Sequence, residues 1–321
     1  MTSIELTGLK ADIPIGAMAA FGVLRICQRL PGLEGSKLAW KAGGGGDHAV
    51  LWTPGETTRD VLVQALSGDV KQAAAREELT WEEQIKTQTP DQFRDGAKDA
   101  LERGAWETAS WFVAFASELV CGRDEKIEAT PFDMSVARQK FLADARKLAA
   151  GLGEDKPGRN AKSSAESYRE ALFGPWKYED DQHSLGWDPS TMKLGAFTYK
   201  APTSMANAGV RAAVWLAFES LPLFPCFAGP RGHLQVRAFR HDRRDYTLCW
   251  PVWRPAISLE TLGSLLGWEG LVKDTILAKE LAARGVTAVY RSERFKPNKY
   301  LSSFRAAELA AGTVGTCDSP T

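Results

Sequence analysis

Three arginines, Arg240, Arg243 and Arg244, stand together in the run RHDRRD. A guanidinium is planar, permanently charged, and carries a fork of N–H donors that matches the geometry of a phosphate. Arg237 precedes this run, and Arg291, Arg294, Lys296 and Lys299 recur in the later run RSERFKPNKY. Asn298 lies between those two lysines, where its amide suits the edge of adenine or the minor groove, while the lysines suit flanking phosphates. It equally suits the third position of a type I turn behind Pro297. Phe295 and Tyr300 interleave as candidate stacking or wedge residues. Together these side chains predict a positive face that grips nucleic acid, and the same residues also suit a solvated charged rim.

Chemistry that makes or breaks bonds has weaker support. His241-Asp242 is the dipeptide of metal-dependent phosphohydrolases, but such a site needs further His and Asp ligands, and only His48, His183 and His233 remain. Glu154-x-Lys156 mimics the end of a nuclease carboxylate–lysine motif within a Gly/Pro-containing stretch rather than a strand. No serine or cysteine sits in a nucleophile elbow and no glycine pattern marks a dinucleotide site. The glycines at 43–46 lack the Gly-Lys-Ser/Thr ending of a phosphate-binding loop. A non-catalytic protein without cofactor or metal is therefore expected. A metal-dependent nuclease using His241 and Asp242 is the alternative.

Net charge over the 321 residues is zero, yet the charge is unevenly spread. Residues 229–305 hold 14 Lys and Arg against 7 Asp and Glu, whereas residues 1–228 hold 26 against 31. The basic excess lies in the C-terminal third, where the candidate binding residues are. Five cysteines, scattered and without a C-x-x-C pair, suggest neither a disulfide framework nor a zinc site, and fit a reducing cytoplasm. No apolar run approaches the ~18 residues of a membrane span, so no membrane partner is expected.

These residues must be carried by the elements around them. Residues 233–239 and 246–252 alternate apolar and polar side chains and predict a hairpin with the arginine run at its tip. Ser258 predicts a helix cap. Residues 4–6 predict a strand ended by Gly8, and the run after Pro14 a helix whose Gly16 and Gly22 imply close backbone packing. Residues 37–41 and 49–52 read as strands, 57–151 as almost wholly helical. Within that span, 105–120 and 135–152 are single helices, and Trp111 is buried. Residues 194–200 read as a strand, 206–220 as a helix that buries Trp215. A helix over 274–284 and a strand over 286–290 then lead into a polar loop at 291–300. The fold class is α+β, mostly helical, with a small, largely antiparallel sheet formed by N-terminal and C-terminal strands. The expected divisions are 1–150, a strand-helix unit with a helical region; 151–190, a linker with an aromatic turn; 191–311, an α+β region with the basic hairpin; and 312–321, a disordered tail.

The N-terminal pattern Ile4-x-Leu6-x-Gly8-Leu9, then Pro14-Ile15-Gly16-x-x-Ala19-Ala20-Phe21-Gly22-Val23-Leu24-Arg25, resembles the amino-terminal signature of large-subunit-like proteins of type I CRISPR–Cas effector complexes. The compact subtype I-U (I-G) group is the nearest. Trp187-Asp188-Pro189 and Trp250-Pro251-x-Trp253 are weaker companions of that pattern. The resemblance implies a non-catalytic cytoplasmic subunit. Its partners would be guide RNA, the other subunits, double-stranded target DNA and a helicase-nuclease recruited in trans. It would also read the short motif beside the target.

Overall fold

The computed structural model describes residues 1–312 apart from 123, 137, 155–161, 182–183, 192–208, 243–244 and 299–300. The chain opens with strand β1 (Thr2–Lys10), helix α1 (Pro14–Cys27) and strands β2 (Lys37–Lys41) and β3 (His48–Thr53). Helices α2 (Arg59–Val70), α3 (Glu77–Thr80), α4 (Pro90–Glu102) and α5 (Trp106–Phe115) lead to a ribbon of β4 (Ala116–Cys121) and β5 (Ile127–Ala129). Helices α6 (Phe141–Gly153), α7 (Ser164–Phe173) and α8 (Arg211–Glu219) precede β6 (Cys226–Ala228), β7 (Leu234–Val236), β8 (Phe239–Asp242) and β9 (Asp245–Trp253). Helices α9 (Leu259–Leu266) and α10 (Ala278–Ala282) separate these from β10 (Val286–Asn298), β11 (Leu301–Phe304) and β12 (Glu308–Gly312).

The fold is α+β, and its paired strands are antiparallel. The N-terminal and C-terminal strands build separate sheets rather than one: β1-β3-β2, and β11-β10-β9-β8 with β12 also on β10. They are joined by a bridge from Leu38 of β2 to Ile257, just beyond β9, and by indole donors. Trp250 Nε1 donates to the Ala11 carbonyl (2.7 Å) and Trp253 Nε1 to the Leu38 carbonyl (2.9 Å). Apolar burial is continuous from Ile4 to Phe304, and Trp111 and Trp215 are both fully buried in it.

Local sequence explains many of the boundaries. Thr58, Thr89, Ser163 and Ser258 each accept a backbone N–H of the first turn of α2, α4, α7 and α9. Gly22 is required by packing: a Cβ there would sit 1.7 Å from the Leu216 carbonyl oxygen of α8. Gly16 likewise meets the Lys10 carbonyl, where a Cβ would lie at 2.5 Å. The expected close approach at both glycines is thus to neighbouring backbone.

Tertiary contacts overrule other expectations. The helix expected over 105–120 stops at Phe115, because the Phe115 carbonyl accepts from the Thr130 N–H (2.7 Å) and the chain continues as β4. The helix expected from Ser135 starts at Phe141. Asp133 Oδ1 takes the Ser135 N–H (3.0 Å) and Gln139 Oε1 that of Val136 (2.9 Å), turning the backbone before it can coil. The helix expected over 274–284 shrinks to α10, behind a 3₁₀ turn at Glu269–Val272. Strand β1 runs past Gly8 to Lys10, and β12 is an added strand. The strand expected over 194–200 lies outside the described residues. Among the described residues no helix is long and apolar enough to cross a membrane.

Close packing of α1 on α8 also brings a charge cluster into the core. Glu219 is fully buried and is held by Arg25 Nη1 (3.3 Å), Arg29 Nη1 (3.0 Å) and Arg76. Burial pushes its carboxyl up, but Arg76, Arg29 and Arg25 outweigh that and hold its pKa at about 2. Arg29 also forks onto Asp69 (2.9 and 2.7 Å), and Arg25 pairs with Glu107.

Candidate nucleic-acid interface

Side chains alternate across a strand, so the face of a residue follows from its parity and register. Phe239 of β8 lies opposite Leu248 of β9, which lies opposite Ser292 of β10; this row faces the core, where Phe239 meets Phe132 at 4.9 Å. Two residues further out the same face turns polar. His241 lies opposite Tyr246, and Arg294 follows Ser292 by two positions. The Tyr246 hydroxyl donates to Glu128 Oε1 (3.0 Å) with the Leu234 carbonyl 3.2 Å away, and burial together with Glu128 pushes its phenol above the usual range.

Arg294 Nη2 donates to the Asp133 carbonyl (2.9 Å). Its burial lowers its pKa, and the nearby Asp133 pulls it back. Lys296, exposed and at the start of the β10 register shift, has its pKa lowered by partial burial and by Arg294 and Lys86 beside it. Lys86 stands in a 3₁₀ turn at Ile85–Thr87. Its Nζ donates to Ser135 Oγ (2.6 Å) and lies 3.9 Å from Asp133 Oδ1. Three cations drawn from positions 86, 294 and 296 therefore crowd the rim around Asp133, with Glu128 beyond it. Asp133 Oδ2 and Arg294 Nε have no hydrogen-bond partner among the described residues. Asp133 and Glu128 offset part of this charge, and the exposed member, Lys296, is where an anion can approach.

The other candidates are placed differently. The expected hairpin is broken at Arg237-Ala238: Ala238 takes a left-handed φ of 62°, β7 pairs with β6 instead of β9, and only β8 forms the hairpin with β9. Arg237 sits in that break, half-buried, with Nη1 3.5 Å from the Leu223 carbonyl, and burial lowers its pKa. Arg240 is in strand β8 rather than at the tip, on the face opposite His241, and pairs with Asp242 (3.4 Å) and Asp274. Arg291 donates to the Lys273 carbonyl. The expected polar loop over 291–300 is largely strand: β10 runs to Asn298 and folds onto β11, with Pro297 at a register shift where no ladder donor is needed. Phe295 lies under the Arg305 guanidinium at 4.1 Å, and Arg305 pairs with Glu293 (2.8 Å), so neither is a free wedge or grip. Arg243, Arg244, Lys299, Tyr300 and the Asn298 side chain lie outside the described residues.

One positive face was expected; alternation divides it between two faces of the sheet. Arg294 and Lys296 share the rim with Lys86. Arg240 is on the other face with carboxylate partners. Lys86 carries no local signal in the sequence, being a lone lysine in the acidic part of the chain. His241 and Asp242 do not converge on a common point: the His241 ring stacks on Tyr246 (4.5 Å, 18° between planes) and Asp242 pairs with Arg240. No group of three His, Cys, Asp or Glu is placed to hold a metal among the described residues.

No protein-family model matches the chain, and no curated protein matches it either.

Proposed function

We propose that this chain is a non-catalytic subunit of an RNA-guided, CRISPR-type DNA surveillance complex in the cytoplasm. It binds target duplex DNA through the rim formed by Lys86, Arg294 and Lys296. The observation that carries this reading is the convergence of those three cations around Asp133, on an edge open to solvent at Lys296. Phosphate contacts of this kind fix position without reading sequence, so recognition of a motif beside the target falls to neighbouring groups at the end of β10. Guide RNA, fellow subunits and a recruited helicase-nuclease are the partners this role requires.

Salt dependence of duplex binding tests the proposal. Each neutralised phosphate contributes about 0.9 to the slope of log K against log salt. Lys86→Ala with Lys296→Ala should make the slope roughly 2 units shallower and weaken all duplex sequences alike. An unchanged slope removes the rim from DNA binding. Incubation of the same DNA with Mg²⁺ or Mn²⁺ should leave it intact; metal-dependent cleavage would overturn the non-catalytic role.

A further inference from the structure

Of the nine large apolar side chains exposed among the described residues, four fall within residues 101–119: Leu101, Trp106, Val113 and Leu119. Scattered exposed leucines need no explanation, but such a concentration marks a contact surface. Trp106 is 71% exposed. It shares a face of α5 with Ser110 and Val113, four and seven residues on, while Trp111 and Phe112 of that helix are buried in the core. Leu101 stands at the end of α4, across a tight turn in which the Gly104 N–H donates to the Leu101 carbonyl and the Trp106 N–H to that of Gly104, both at 3.0 Å. Leu119 is on β4, which continues α5 and packs against α4. Aromatic anchors such as Trp106 carry a large share of binding energy once a partner takes them out of water.

The charge around these side chains selects what can cover them. Residues 90–121 hold six Asp and Glu against three Lys and Arg, and Asp91, Asp95, Asp99 and Glu102 of α4 are all exposed. Each of the three bases is already engaged by an acid of α4: Arg94 by Asp91, Lys98 by Glu102 (3.5 Å) and Arg103 by Asp99 (2.9 Å). A second copy of this chain would bring the same acidic surplus against itself, and an anionic membrane would be repelled, whereas a basic partner is attracted. Trp106 and Val113 are two helical turns apart, about 10 Å along the axis. That is the spacing of the i and i+7 anchors of a helix laid along α5. We propose that this face docks a basic amphipathic helix of another protein, with its apolar stripe on Trp106 and Val113 and its cations on the acids of α4. The proposal uses none of the residues of the DNA-binding rim and does not rest on that reading.

The test uses two labelled synthetic helices and fluorescence anisotropy with the full chain. One peptide has leucines at i, i+3, i+4 and i+7 with lysines elsewhere; the other has the same leucines with glutamates elsewhere. The lysine peptide should bind at least about 10-fold more tightly, and the gap should narrow as salt rises. Trp106→Ala should weaken the lysine peptide at least about 10-fold, Val113→Ala should weaken it less, and Trp106→Phe should keep most of the affinity. Since the Trp106 ring is mostly in water, Trp106→Ala should melt at the temperature of the parent. The proposal is overturned if neither peptide binds, if both bind alike, or if the lysine peptide is held equally by Trp106→Ala and Val113→Ala. Self-association of the chain in sedimentation that Trp106→Ala abolishes would overturn it in favour of a second copy. Binding to phosphatidylcholine or phosphatidylglycerol vesicles that the same variant abolishes would overturn it in favour of a membrane.

Discussion

Replacing Glu219 by Gln should cost this protein a large part of its stability, by an amount that depends on pH in a defined direction. The side chain is wholly buried and holds Arg25, Arg29 and Arg76 from helix α8, so glutamine keeps the shape while leaving three guanidiniums without their shared anion. The carboxyl falls from 4.5 to about 2 on folding, which at 1.36 kcal/mol per pH unit is roughly 3 kcal/mol. Breaking a buried ion pair on one side costs about 3–5 kcal/mol, in agreement. Because the folded value is the lower one, this stability is complete above the unfolded pKa and is lost as pH falls toward 2. Urea unfolding of the parent and Glu219→Gln at pH 7 should therefore differ by about 3 kcal/mol, and the gap should narrow by about 2 kcal/mol between pH 6 and pH 3. A gap below ~1 kcal/mol at pH 7, or one of constant size down to pH 3, would refute the reasoning and leave Asp69, Glu78 and Glu107 as sufficient partners for the arginines.

Gly22→Ala should destabilise by ~3 kcal/mol or more, because its methyl would overlap the Leu216 carbonyl oxygen and force α1 away from α8; a melting temperature within about 1 °C of the parent would contradict that packing. Arg240→Ala should leave the salt slope of DNA binding unchanged, since Arg240 is paired with Asp242 and Asp274 on the face opposite Arg294; a slope shallower by about 1 would return it to the interface.

Much of the local architecture was legible in the residues. The cap expected at Ser258 forms through a bond that spans three residues, and Thr58, Thr89 and Ser163, not singled out beforehand, cap their helices by the same local chemistry; in the aromatic turn expected before residue 190, Asp188 accepts the Ser190 N–H (2.9 Å). Gly16 and Gly22 announced a close approach, although nothing near them in sequence says that Leu216 is what approaches Gly22. That two very apolar stretches are helical and bury Trp111 and Trp215 follows from their composition, although where the first helix ends does not.

What composition and periodicity could not decide was who pairs with whom. Phe115 ends its helix because Thr130 competes for its carbonyl, and β10 is long because β9, β11 and β12 share its edges. The interface shows the same division. That arginines and lysines gather in the C-terminal third is a property of the sequence. That Arg294 and Arg240 fall on opposite faces is decided by strand register, a matter of single-residue parity. Lys86 joins Arg294 and Lys296 because a turn at Ile85–Thr87 packs beside Asp133, bringing together charges more than two hundred residues apart. Caps and alternation act over a few residues and can be read from them; burial and charge proximity depend on contacts that exist only once the chain has closed on itself.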